Sequence, residues 1–357
     1  MTDEYYEGKE TELLEQPRCT HCQRTPSTKL LRCTRCKVAW YCNRTCQKEH
    51  YRQMHRSLCL GIAEFQQYVQ EEEERIRAVE DVFVTSTGDL WGYAETTAYM
   101  EATYALSDLY WQAAYQCEVK EVWEKALYHL LEHLRLGAID TKGARARVPF
   151  VLLALNRDDE ALTFIQYWVQ VDLATEDDPE IIFRAHENTK EGDWIYGPVE
   201  KDGRYLDIFQ VVSDADPNEV EVPFLVALAI MKLRIVAAYD TAIQSLRLAM
   251  TGTAGRVHEV QSAIQDMLIR GDLQSQWEQL IRLLDAIDHL NPSMLPAILN
   301  PKPLFQQPPP TQIMPGHPSE AFRTLMDCRR CFYRVPGAAA LLRNRLGENP
   351  TYDSDMS

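Results

Sequence analysis

Apolar and aromatic side chains recur every three to four positions through most of this 357-residue chain and are sparse in one stretch near its start. Between 93 and 117, Tyr99, Ala102, Leu106, Leu109, Tyr110 and Ala113 share one helical face. Trp123, Ala126, Leu127, Leu130, Leu131 and Leu134 form the next stripe, which stops near Gly137. A period of 3.6 predicts an amphipathic helix for each stripe, with the stripe packed as core. Another helix is expected over 143–156, and a fourth opens on the acidic turn Asp158-Asp159-Glu160 and reaches Val169.

Downstream, the same pattern predicts helices over 224–250, 255–269 and 273–290. Gly192, Gly197, Pro198, Gly203 and Pro217 interrupt the chain before them. There, Ile195-Tyr196 and Tyr205 to Phe209 predict a small hairpin or an ordered loop. Nine prolines between Pro292 and Pro318 argue against a regular helix, and two short helices are expected over 320–333 and 336–346. After the sparse stretch, Ile62, Phe65 and Tyr68 continue a helical pattern into the acidic run Glu71 to Glu74, read as a linker helix with a solvated face.

The sparse stretch runs from Pro17 to Cys59, and its chemistry replaces the missing core. Seven of the ten cysteines fall within forty-one residues, as Cys19-x2-Cys22, Cys33-x2-Cys36, Cys42-x3-Cys46 and His55-x3-Cys59. A two-residue gap lets two sulfurs converge on one ion at about 2.3 Å, and a three-residue gap sets two ligands one helical turn apart. No export signal is visible at the acidic N-terminus, and in a reducing compartment such spacing favours metal over disulfides. Eight ligands make two closed tetrahedral sets with no spare carboxylate, the pattern of two structural Zn²⁺ ions rather than a catalytic one. His21, between the first two cysteines, reads as an exposed knuckle residue.

Together with Trp40-Tyr41-Cys42-Asn43-Arg44-Thr45-Cys46-Gln47, this ligand series resembles the MYND zinc finger. The resemblance implies cross-braced pairing, with Cys19, Cys22, Cys42 and Cys46 on one ion and Cys33, Cys36, His55 and Cys59 on the other. Spacing by itself permits a sequential pairing too. His55 falls one residue later than the family pattern, and His50 is the alternative ligand. MYND modules bind proline- and leucine-containing peptides beside the zinc core. The resemblance therefore points to Trp40, Tyr41, Gln47 and Tyr51 as peptide-binding positions, with finger core as the competing role of Trp40.

Lys125-Ala126-Leu127 and Glu160-Ala161-Leu162 lie thirty-five residues apart, and this stretch resembles tetratricopeptide-like repeats, whose helix pairs stack. Finger and body together resemble a group of fungal MYND proteins through Leu134-Arg135-Leu136, Asn156 to Glu160 with Tyr167-Trp168, and the proline-rich Leu290 to Leu304. The organisation expected is a flexible terminus (1–16), a MYND finger (17–59), a linker helix region (60–88), a helical repeat-like domain (89–290), a proline-rich segment (291–318), and short helices with a tail (319–357). The fold class is a small cross-braced zinc finger followed by a mostly α-helical, tetratricopeptide-like domain.

Charge sharpens the picture. The formal net charge is -16, yet residues 17–59 hold ten Lys or Arg against Glu49 alone. Seven thiolates and two Zn²⁺ would leave that segment at about +6 beside an acidic body, which disfavours generic duplex-DNA binding by the body. The asymmetry predicts a salt-sensitive association of finger and body, with Arg32, Arg35, Lys37 and Arg44 facing Glu71 to Glu74 or Asp158 to Glu160. The absence of eighteen consecutive apolar residues argues against a membrane span. Apolar stripes between about 90 and 290 are expected to give the body a core of its own.

Cys328-x2-Cys331 has a knuckle gap but no second pair nearby, and reads as two thiols on an apolar-basic helix. Cys117 has no recognisable catalytic histidine partner. A lysine methyltransferase split around a MYND finger would place more than sixteen residues ahead of it, and no cofactor motif follows. The function expected is a non-enzymatic, intracellular protein-interaction adaptor, with a ubiquitin-ligase accessory subunit as the alternative.

Overall fold

The computed structural model describes residues 12–26, 29–79, 81–211, 219–251 and 273–356. The chain divides into two compact units. One comprises 12–156 and 171–197, the other 157–170 and 198–357 together with 1–11. Residues 1–11 and the helix expected over 255–269 lie outside the described residues.

The first unit starts with the metal-ligand stretch. Leu31–Arg32 (β1) pairs antiparallel with Trp40–Tyr41 (β2), Leu31 opposite Tyr41 and Arg32 opposite Trp40. Asn43 then caps Arg44–His50 (α1), its side-chain oxygen accepting the Cys46 N–H at 2.9 Å. A π turn, Tyr51–His55, joins α1 to Arg56–Arg77 (α2) without a break. The expected linker helix therefore begins inside the finger, because Leu58, Cys59 and Ile62 occupy one buried face.

That face packs on Ala94–Cys117 (α4), beyond the short helix Val82–Thr85 (α3). Gly61 permits the approach: a Cβ there would meet both Leu109 methyls at 3.4 Å, and Gln66 donates to the Tyr110 hydroxyl alongside. After a turn at Glu118 (φ +56°), Lys120–Leu136 (α5) folds back on α4, and Ala144–Ala154 (α6) packs on α5. Trp123, Leu130, Phe150 and Leu134, the stripe residues read from the sequence among them, are fully buried. Gly137 forms isolated bridges with Gly88 and Asp89, a close approach that leaves no room for a side chain: a Cβ on Gly137 would sit 2.5 Å from the Trp91 ring.

The finger belongs to this unit by apolar packing and backbone pairing, which corrects the expectation of a loose, charge-driven association. Leu14, just ahead of the finger, donates its N–H to the Glu118 carbonyl at 2.8 Å and accepts from Lys120 at 3.0 Å. The acidic groups nominated for docking are taken locally: Glu72 and Glu73 pair with Arg75 and Arg77 on the same helix, and Glu160 pairs with Arg157. Arg32 instead pairs with Glu121 on α5. Exposed pairs of this kind contribute about 0 to 1 kcal/mol each, so the α2–α4 interface decides the arrangement.

In the second unit, the start of Asp158–Asp177 (α7) buries Ala161, Leu162, Phe164, Ile165 and Trp168. Asp158 and Asp159 bind Arg234 and Arg204. The two Ala-Leu positions thirty-five residues apart thus sit on helices of 17 and 20 residues, in different units. The long helix Val222–Thr251 packs on Leu273–Leu290 and on Pro318–Tyr333. Its window Val222–Tyr239 is apolar and long enough to cross a membrane by length and composition, but 78% of it is buried in the protein.

Within that window, Lys232 is fully buried. Its Nζ donates to the carbonyls of Arg204 and Leu206, both at 2.9 Å, and to Gln276 Oε1 at 2.7 Å. Of the two alternatives read for this stretch, a small hairpin or an ordered loop, the structure has the loop: Gly203–Tyr205 is a 3₁₀ turn and Ile208–Val211 a helical turn, with the lysine bound to two carbonyls of the loop.

The proline-rich segment also departs from expectation, since it contains two short helices, Met294–Leu299 and Lys302–Phe305. Pro296 and Pro303 fall in first turns, where a missing N–H costs no hydrogen bond, and Met294 to Ile298 are buried. Asn291 holds the far end, donating to the His317 carbonyl at 3.1 Å and to Glu320 at 2.9 Å.

Candidate metal centres and interaction surface

Each Cys-x2-Cys pair sits on a tight turn of the same construction. Gln23 and Lys37, each following the second cysteine of its pair, are left-handed (φ 60° and 58°). Their N–H groups donate back to the carbonyls of Cys19 and Cys33, at 2.8 and 3.1 Å. Trp40 locks the first turn to β2: its carbonyl accepts the Thr20 N–H, and its own N–H donates to the Thr20 hydroxyl at 3.1 Å.

These turns converge with α1 and α2 into two clusters. Cys19, Cys22, Cys42 and Cys46 form one, Cys33, Cys36, His55 and Cys59 the other, with all ligand atoms of a cluster within 4.8 Å of one another. Tetrahedral zinc with Zn–S near 2.3 Å requires sulfurs about 3.8 Å apart. Cys22 and Cys42 stand at 3.6 Å, and Cys33 and Cys59 at 3.7 Å. Cys36 Sγ lies 3.3 Å from His55 Nε2. The donor set therefore fits two zinc ions, paired in the cross-braced manner.

Electrostatics points the same way. The Cys36 thiol beside Cys33 pulls the Cys33 pKa down to about 3, and the Arg24 backbone and side chain pull Cys22 down to about 6. Burial, then neighbouring thiols, push Cys42 up to about 12 and Cys46 to about 11. Four sulfurs at one point resist ionising together, and a divalent cation removes that conflict.

Residues 19–59 match the family model of the MYND finger. This segment is a MYND finger. No curated protein and no solved structure matches the chain, so nothing in these comparisons carries the likeness past Cys59 to tetratricopeptide repeats or to fungal relatives.

A π turn lies between the two ligand-bearing helices of this MYND finger. A π turn accommodates one extra residue in a continuous helix. His55 and Cys59, four residues apart, share one face of the helix that leaves this turn, and the π turn sets the phase of that face relative to α1, which carries Cys46. His50 has a structural role: its Nδ1 is 3.0 Å from the Tyr41 hydroxyl and its ring stacks on His55 at 5.3 Å. Burial holds His50 neutral, with its pKa lowered to about 4.

Replacing His55 with alanine is accordingly expected to leave one zinc per chain. His50→Ala should retain two zinc ions and lose about 1–3 kcal/mol through the orphaned Tyr41 hydroxyl. Metal analysis of the two purified variants, with a denaturation curve for the second, checks both statements. One zinc after His50→Ala would reverse the assignment.

The four positions nominated for peptide contact separate. Trp40 is 6% exposed and Tyr41 is fully buried, with the Arg32 guanidinium 5.0 Å from the Trp40 ring centroid. Both are core of the finger here. Gln47 and Tyr51 are half-buried and one helical turn apart, the Tyr51 N–H donating to the Gln47 carbonyl. Sequence reasoning passed over two exposed apolar residues of the finger, Met54 at 58% and Leu31 at 43%. Their exposure leaves no periodic signature in the sequence. Outside the finger, Cys328 and Cys331 are buried in the Pro318–Tyr333 helix, and burial raises the Cys328 pKa well above its ordinary value. Among the described residues, the metal-ligand clusters are the two of the finger.

Proposed function

We propose that this chain is a zinc-stabilised interaction adaptor, in which the MYND finger holds a short proline- and leucine-containing segment of a partner protein. The closed ligand sets carry the reading. Four protein ligands on each ion leave no coordination position for activating water, so the metal's work is to fix a surface. Gln47 and Tyr51 supply that surface in this reading, with Met54 as an added apolar contact. A half-buried tyrosine gives contact area at small rotamer cost, and a glutamine amide can bond an extended peptide backbone. Tyr51 meets the His55 ring at 6.3 Å, and the buried Tyr41 meets the same ring at 6.2 Å. The basic residues around it favour acidic groups flanking the apolar motif.

Titrating a ten-residue proline- and leucine-containing peptide with acidic flanks into the intact zinc-loaded protein tests this. Amide shifts are expected at Gln47, Tyr51 and Met54. The Gln47→Ala, Tyr51→Ala double variant should bind about tenfold more weakly, about 1.4 kcal/mol, while retaining both zinc ions. Unchanged affinity in that variant would remove these side chains from the contact surface.

A further inference from the structure

A cavity of about 550 Å³ opens in the first unit, bounded by α2, α3, α4, α5 and residues 188–191 and lined by none of the zinc ligands. That volume is in the range of small-molecule sites, roughly 300–1,000 Å³. Its apolar wall includes Val69, Phe83 and Leu136, with Phe83 and Tyr99 edge to face at 5.0 Å. A flat ring has matching surface there.

Two polar groups in the wall are almost wholly buried and keep bonding capacity in reserve. His133 is 2% exposed. The Thr103 hydroxyl donates its proton to the Met100 carbonyl at 3.0 Å, so it accepts from His133 Nδ1 at 3.1 Å. That fixes the tautomer and leaves Nε2 as a lone-pair acceptor without a protein partner among the described residues. Burial keeps the imidazole neutral, its pKa lowered to about 4. The second group is Tyr99, 7% exposed, whose hydroxyl donates to nothing among the described residues. Burial raises its pKa, so it remains a phenol and a donor.

Charge at the site cancels. Glu73, Glu132 and Glu191 line the cavity, and so do Arg77, Arg135 and Lys190. Glu73 pairs with Arg77, Glu132 with Arg135, and Glu191 accepts from the Tyr128 hydroxyl. Neither a free anion nor a free cation finds a net opposite charge.

We infer that this cavity binds a small, uncharged aromatic carboxamide, its ring against Phe83 and Tyr99, its N–H donated to His133 Nε2 and its carbonyl accepting from the Tyr99 hydroxyl. The carboxamide is the flat, neutral group that carries one donor and one acceptor together. It satisfies both reserved partners, and a ligand that leaves either unmet gives up that hydrogen bond and binds more weakly.

Four probes of nearly one shape test this on the full-length, zinc-loaded protein by saturation-transfer NMR and titration. Benzamide has donor and acceptor, N,N-dimethylbenzamide lacks the donor, benzoate is an anion and benzamidinium a cation. Benzamide is expected to bind with a Kd of about 1 mM or tighter, and each of the others at least about tenfold more weakly. Tyr99→Phe should weaken benzamide about tenfold and weaken the dimethyl compound, which keeps the carbonyl, by a similar factor. Val84 lines the mouth and is 70% exposed, so Val84→Trp should block benzamide while leaving the melting temperature unchanged. No benzamide binding at about 10 mM, equal binding of benzamide and its dimethyl analogue, or full binding to Val84→Trp would each overturn the inference.

Discussion

Loss of zinc from the second cluster is expected to unfold more of the chain than loss from the first. Structural zinc contributes about 10–16 kcal/mol per site in isolated finger peptides, comparable to the whole stability of an ordinary domain. The finger has little else to hold it, since its buried apolar residues besides the cysteines are few: Val38, Ala39, Trp40, Tyr41 and Leu58. Cys22 sits on an outer turn, and Cys22→Ser should open the first cluster alone. Cys59 stands on the helix whose next buried residue, Ile62, and whose Gly61 meet α4. Cys59→Ser therefore releases the N-terminal end of α2 and loosens its packing on α4.

For Cys59→Ser we expect loss of one zinc, a fall in far-UV helical signal beyond what residues 44–59 account for, and a melting temperature lower by about 10 °C, the shift that 3–4 kcal/mol produces in a unit of this size. Chelation of both ions should deepen each effect. If the variant and the chelated protein keep the helical signal and the melting temperature of the intact chain, α2 is held by α4 alone and the finger is a passenger.

Lys232→Met is expected to destabilise the second unit by about 3 kcal/mol, although methionine suits an apolar helix. The reason is the three acceptors left behind: the carbonyls of Arg204 and Leu206 and the side-chain oxygen of buried Gln276, each costing about 1 kcal/mol or more when orphaned. The cost depends on pH in a definite sense. Burial lowers the lysine pKa from 10.5 to about 8. A folded-state pKa below the unfolded one means that the penalty of burying the charge is fully present below about 8 and fades as the pH rises towards 10.5. The intact chain should therefore gain on the variant between pH 7 and pH 9.5. Urea denaturation of both proteins at those two values gives the measurement. A variant as stable as the parent at pH 7 would show that the 203–206 turn stands without its lysine.

What could be read from the sequence follows the range of the forces involved. Zinc ligands declare themselves because coordination needs two sulfurs within a turn of each other, so Cys19-x2-Cys22 and Cys33-x2-Cys36 are visible as spacings. How those pairs combine depends on contacts across the fold, and the proximity of Cys22 to Cys42 and of Cys36 to His55 settles it. Helices α4 and α5 were legible because each buries a periodic stripe. Three features ran against local rules. Lys232 interrupts an apolar run yet lies in its most buried part, since its partners come from forty residues downstream and nearly thirty upstream. Pro296 and Pro303 look like breakers until their first-turn positions are known. The cavity draws on five separate segments between Val69 and Glu191, and no window of sequence contains it.

The place of Cys59 on α2 also fixes an order of events in biosynthesis. A chain emerges N-terminus first, and domains fold as units as they appear. All eight zinc ligands have left the ribosome once residue 59 is out, before any of α4 has emerged. The finger can close on its metal at that stage, and closing it fixes the first turns of the helix on which α4 is later laid. A cell short of zinc would thus present the emerging chain with an unanchored α2, its apolar face at Leu58 and Ile62 open to chaperones and proteases for as long as the metal is missing.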